Sequence, residues 1–268
     1  MDWKRISSAL LGFPLVLLVL VLGNQYIVDI ALSIIAMISI HEYFEAVSKK
    51  SNPIRWIGYL ACLSIAVIHL IPIEYISIIA ILAIPILFLL LFLKVIISKM
   101  KTNFNDVVYT FFGIIYIVFF IMMLTQIRDM ENGKVLIWYA IFAAWATDIF
   151  AYFVGKYFGK HKLSSISPKK TVEGAIGGII GAVVVMLIYT YGVNYGLGLD
   201  YSYINIAIIA LILSIISQIG DFIASIIKRY VEIKDYSELI PGHGGMLDRI
   251  DSLLFIAPFA YIMLSTML

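Results

Sequence analysis

The sequence predicts an all-α, polytopic integral membrane protein, and three observations predict it. Hydrophobic residues make up 62% of the 268 residues, charged residues only 13%, and mean hydropathy is +1.02, which excludes a soluble domain of this length. The apolar residues come in runs of roughly 17–25, the length a helix needs to cross the hydrocarbon core, and not in the alternating segments of a membrane barrel. The lysines and arginines between the runs fall almost entirely on one side.

Nine spans are expected, near Ile6 to Leu22, Ile27 to Val47, Ile54 to Leu70, Ile73 to Ile97, Val107 to Thr125, Val135 to Val154, Gly174 to Tyr191, Tyr203 to Ile227 and Ser252 to Leu268. Only Ile71 and Pro72 divide the third from the fourth, but the joined run is too long for one crossing. The run after Lys4 and Arg5 lacks a small-residue cleavage site and is read as a retained first helix. Residues 1–268 are expected to form one membrane domain, with amino-terminal spans over 1–125 and the polar constellations over 135–268. Cys62 is the one cysteine, which excludes an internal disulfide and a multi-cysteine metal site. A net charge of +2 says little about partners.

With the amino terminus placed in the cytoplasm, seventeen Lys and Arg lie on the cytoplasmic side and only Arg128 and Lys134 opposite. Both long polar loops, Gly155 to Glu173 and Arg229 to Asp251, then face the cytoplasm, where nucleotides are available.

Four constellations carry chemistry. Asp221, Ser225 and Lys228 follow at offsets of four and seven and share one face of the eighth span. A charge at that depth needs a partner, water or a metal; a snorkelling Lys228 paired with Asp221 would satisfy it as well. Asp248 and Asp251 follow the turn Pro241-Gly242-His243-Gly244-Gly245, three apart at a helix start. Such a start offers backbone N–H groups to phosphate and carboxylates to Mg²⁺, although simple capping gives the same pattern. Asp148 lies within the sixth span near its cytoplasmic boundary, and Lys156, Lys160, Lys162, Lys169 and Lys170 follow. Clustered lysines suit anionic lipid, but beside acids and glycines they suit a polyphosphate. His41-Glu42-Tyr43-Phe44-Glu45 lacks the second histidine of a zinc protease motif, and Glu42 and Glu45 fit an interfacial role at least as well as a cavity one. Gly174, Gly177, Gly178 and Gly181 fit close helix packing better than a dinucleotide fingerprint.

Acids for a divalent metal, cations for phosphate and a position at the membrane face suit phosphoryl or nucleotidyl transfer, in which positioning and charge neutralisation supply most of the catalysis.

The run Ser225-x-x-Lys228-Arg229-x-x-x-x-Lys234-Asp235-x-x-x-x-x-Pro241-Gly242-His243-Gly244-Gly245-x-x-Asp248-Arg249-x-Asp251 resembles the signature of the phosphatidate cytidylyltransferases, or CDP-diacylglycerol synthases. Ser167 to Gly174, reading SPKKTVEG, and Thr147-Asp148 resemble that family too, as do chain length and span count. The resemblance implies transfer of CMP from CTP to phosphatidic acid, giving CDP-diacylglycerol and pyrophosphate with Mg²⁺ as cofactor. Asp221 and Asp248 are then the expected metal ligands, supported by Asp251 and Asp148. Lys169, Lys170, Lys228, Arg229 and Arg249 are expected to hold phosphate oxygens, with Lys228 and Arg229 also in the catalytic group. Thr171, Glu173, Ser225, His243, Gly244 and Gly245 complete the nucleotide site.

The partners implied are CTP, phosphatidic acid and membrane lipid, with no nucleic acid and a homodimer left open. The expected location is the inner cell membrane, with the site facing the cytoplasm. A CTP-dependent lipid kinase of the polyprenol or dolichol type, and an ion-coupled transporter using Asp148 and Asp221, are the competing classes.

Overall fold

The computed structural model describes residues 14, 16–164, 167–242 and 244–268. They fold into helices joined by short loops, with only two isolated β-bridges among the described residues, Lys162 with Thr171 and Ile240 with Gly244. The helices are α1 Gln25–Val47, α2 Arg55–Val67, α3 Ile73–Ile97, α4 Phe104–Asp129, α5 Gly133–Phe158, α6 Val172–Leu197, α7 Tyr203–Tyr230 and α8 Leu247–Met267. All but α2 are long and apolar enough to cross a membrane, and the protein is an integral membrane protein. The expected third span is the shorter α2, continued by a 3₁₀ turn over Ile68–Leu70. The expected first span lies mostly outside the described residues, of which 16–22 are helical.

Helix starts follow local chemistry. Asn24 caps α1 by accepting from the Ile27 N–H at 2.9 Å. Asn103 and Asp106 form a capping box at α4. Thr171 caps α6 through Oγ1, which accepts from the Gly174 N–H at 3.1 Å.

The chain divides into two compact units. One comprises the residues up to Thr125 together with Tyr230–Arg249. There α1 and α2 pack where Gly58 leaves room for the Phe44 ring, and Ser33 Oγ donates to the Cys62 carbonyl at 2.9 Å. Buried Asp29 accepts from Gln25 Nε2 at 3.0 Å and meets His69 Nδ1 at 2.7 Å, so the polar residues at this end of α1 satisfy one another. Helix α3 is exposed along nearly its whole length, with Leu91 and Val95 turned inward.

The second unit comprises Gln126–Arg229 and Ile250–Leu268. Helices α5 and α6 pack closely because glycines line the seam. A β-carbon on Gly177 would lie 2.5 Å from Val154 Cβ, and one on Gly181 would lie 2.1 Å from the Phe150 ring. The packing expected of these glycines is therefore observed. Helix α7 joins this pair through Thr147 Oγ1, which donates to Ser214 Oγ at 2.7 Å in a fully buried contact.

Candidate active site

The close approach of α5 and α6 fixes the loop between them. His161 and Lys160 donate backbone N–H groups to Glu173 Oε2 at 3.2 and 3.1 Å, and His161 Nδ1 lies 2.6 Å from Oε1. Backbone bonds from Leu163 N to Lys170 O and from Val172 N to His161 O, both 2.9 Å, fold the segment back on itself. Glu173 and Thr171, expected at the nucleotide, therefore build the loop that presents the lysines, and Thr171 also lines the adjoining cavity.

This cavity, of about 410 Å³, opens between the loop and helices α5, α6 and α7. Its polar lining includes Asp148 and Lys156 from α5, Ser167, Lys169 and Lys170 from the loop, and Gln218 and Asp221 from α7. The size is that of an ordinary small-ligand site. Lys170 Nζ pairs with Asp221 Oδ2 and sits 4.2 Å from the centre of the Phe222 ring. Asp251, on the second turn of α8 and only 8% exposed, lies within electrostatic range of Asp221, Lys228 and Asp148. The structure thus lines one cavity with two of the four expected metal-binding acids, Asp148 and Asp221, and with two of the expected phosphate-binding lysines, Lys169 and Lys170. Ser225, Lys228 and Arg229 occupy the last turns of α7, with Arg229 exposed.

Asp148 and Asp221 beside the lysines present hard oxygen donors, which suit Mg²⁺. Among the described residues no three His, Cys, Asp or Glu side chains converge tightly enough to hold one ion by themselves. That also fits Mg²⁺, which is usually held by one or two carboxylates completed by substrate phosphates and water.

The glycine turn belongs to the other unit and is organised by two carboxylates. Asp248, 7% exposed, accepts the N–H groups of Tyr236 and Gly245 on Oδ2 at 2.8 and 3.0 Å. Gly244 has φ +84°, a conformation that side chains resist, and the Ile240 N–H donates to its carbonyl at 2.9 Å. Glu42 of α1, 4% exposed, accepts the Met246 N–H on Oε1 at 2.9 Å and the Leu247 N–H on Oε2 at 2.8 Å. Its Oε1 also accepts from Ser237 Oγ at 2.6 Å. A β-carbon on Gly245 would lie 2.6 Å from Glu42 Oε2. The N–H groups read from sequence as phosphate donors are thus taken by Asp248 and Glu42. Arg249 is exposed on the first turn of α8, and His243 lies outside the described residues.

Glu42 is the residue that sequence reasoning left undecided. One signal was present: the residues before Leu247 are Gly-Gly-Met, with no capping side chain, so the orphan N–H groups of α8 required an acceptor from elsewhere.

A family model described as the cytidylyltransferase family matches residues 3–267, and the chain belongs to that family. It is 41% identical over 179 residues to a phosphatidate cytidylyltransferase of Bacillus subtilis, covering 66% of this chain and 65% of that one. Proteins of the same name from Staphylococcus saprophyticus and Staphylococcus haemolyticus are 38% identical over 170 residues and 36% over 173. The first match covers 63% of both chains and the second 64% of both, so in all three the chain spans somewhat under two thirds of the relative's length.

Proposed function

We propose that the protein transfers CMP from CTP to phosphatidic acid, giving CDP-diacylglycerol and pyrophosphate, at the cytoplasmic face of the cell membrane. The observation that carries this reading is the cavity lined by Asp148, Asp221, Lys169 and Lys170, with Lys170 paired to Asp221. The names of the three relatives and the family membership support it, and the bias of basic residues supports the orientation.

A phosphate oxygen of the lipid attacks the α-phosphorus of CTP. The bond from that phosphorus to the bridging oxygen breaks, and pyrophosphate leaves with the electron pair. Lys169 and Lys170 bind the triphosphate as point charges on a loop held by Glu173. Lys170 exchanges Asp221 for a phosphate oxygen when CTP enters. Asp148 and Asp221, completed by substrate phosphates and water, would hold Mg²⁺, whose charge offsets that building on the phosphates and the leaving pyrophosphate, with Asp251 supporting. No protein nucleophile is required, because the lipid phosphate is ionised at neutral pH.

The test is product identity. Purified protein given phosphatidate and CTP labelled at the α-phosphate should yield labelled CDP-diacylglycerol. Label moving to lipid only from the γ-phosphate, with CDP released, would instead define a lipid kinase, and no labelled lipid from either position would reject both.

A further inference from the structure

We propose that Glu42 is a positioning residue for cytidylyl transfer, acting through the glycine turn and the first turn of α8; the proposal rests on the function inferred above. Glu42 lies on α1, nearly two hundred residues or more from each group it holds, and its carboxylate is buried. An ionised side chain at such a place is costly unless its hydrogen bonds are met. No cation pairs with it among the described residues; three donors satisfy it instead.

Two of these donors are backbone N–H groups at the start of α8, which have no partner within the helix. A carboxylate there also meets the positive end of the helix dipole. Glu42 does from another helix what a capping side chain would do locally.

The third donor, Ser237, shows why this is more than a cap. Ser237 follows Tyr236, whose N–H is bound by Asp248, and Gly245 precedes Met246. Two carboxylates therefore clasp the same two chain segments at adjacent points. Glu42 ties Ser237 to Met246 and Leu247, while Asp248 ties Tyr236 to Gly245. Gly245 permits the clasp, because any larger residue would press on the Glu42 carboxylate. The turn and the helix start that carry Asp248 and Arg249 are thereby held in one arrangement. The same helix carries Asp251 one turn further on, and a displaced group at the reaction can cost rate without costing stability.

The experiment compares wild type with Glu42→Gln, which keeps the shape but presents an amide donor toward N–H groups that need an acceptor. Hydrogen exchange at Met246 and Leu247 should accelerate about tenfold or more, while the unfolding temperature in detergent changes little. Turnover should fall about tenfold or more, with the KM for CTP within about twofold, because the triphosphate is held by the lysine loop. Unchanged exchange at these two amides, unchanged turnover, or a loss that follows unfolding alone would overturn the proposal. Ser237→Ala keeps Glu42 and both helix amides and serves if the first variant does not fold. It should lower kcat about twofold to fivefold with KM unchanged, and wild-type kcat would count against the clasp. The exchange measurement requires no substrate, so it judges the clasp even if wild type makes no CDP-diacylglycerol, a result that would reject the function instead.

Discussion

Lys170 and Asp221 form an ion pair beside the ring of Phe222, in the lining of a cavity that Asp148 and Lys169 also line. Both side chains are about a quarter to a third exposed, at 27% and 30%. A pair so accessible contributes little to stability, about 0–1 kcal/mol. On the function proposed above, its value lies in holding opposite charges ready for a substrate that needs both.

Lys170→Met should therefore leave the unfolding temperature in detergent nearly unchanged, while the KM for CTP rises about tenfold, or about 1.4 kcal/mol. Steady-state kinetics with CTP and phosphatidate varied separately make the check. A rise confined to the KM for phosphatidate would assign Lys170 to the lipid.

Removal of divalent metal should stop turnover, and added Mg²⁺ should restore it. Because no three described acids close on one ion unaided, Mg²⁺ alone should hardly shift the melting curve, whereas Mg²⁺ with CTP should raise it. Strong stabilisation by Mg²⁺ without nucleotide would mean that the protein holds the metal by itself.

The seam between α5 and α6 gives a stability prediction with an internal control. Gly177→Val places side-chain atoms against Val154 and should cost about 1–3 kcal/mol, read as a lower unfolding temperature. Gly192 lies in the same helix with nothing near its missing β-carbon, so Gly192→Ala should be neutral or stabilising by up to about 1 kcal/mol. Equal effects at both positions would deny that the glycines serve close packing.

Much of this architecture was legible in the sequence because lipid leaves a helix few alternatives. Helix α3 occupies the expected Ile73–Ile97, and α7 begins at the expected Tyr203. The other long helices overrun their apolar runs by a few residues, since backbone hydrogen bonding continues into water until a cap or glycine stops it. Asp148, Lys169, Lys170 and Asp221 could be nominated because charges in or beside apolar spans are costly. Their pairing is less accessible: the spacing offers Asp221 a partner in Lys228, seven residues away on the same helix, yet it pairs with Lys170 from the loop before α6. Asp248 and the turn glycines stood out as a motif, but not the use of their N–H groups. That use depends on Glu42, and the periodicity of α1 carries no mark of a partner some two hundred residues distant.

We place the reaction of CTP in the cavity that holds Asp221, and Asp221→Asn tests this most directly. The change removes a charge while nearly keeping shape, so the purified variant should unfold close to the wild-type temperature. Its formation of CDP-diacylglycerol from CTP and phosphatidate should fall by about three orders of magnitude and should not recover with excess Mg²⁺. Near-normal turnover in a correctly folded Asp221→Asn protein would contradict this placement.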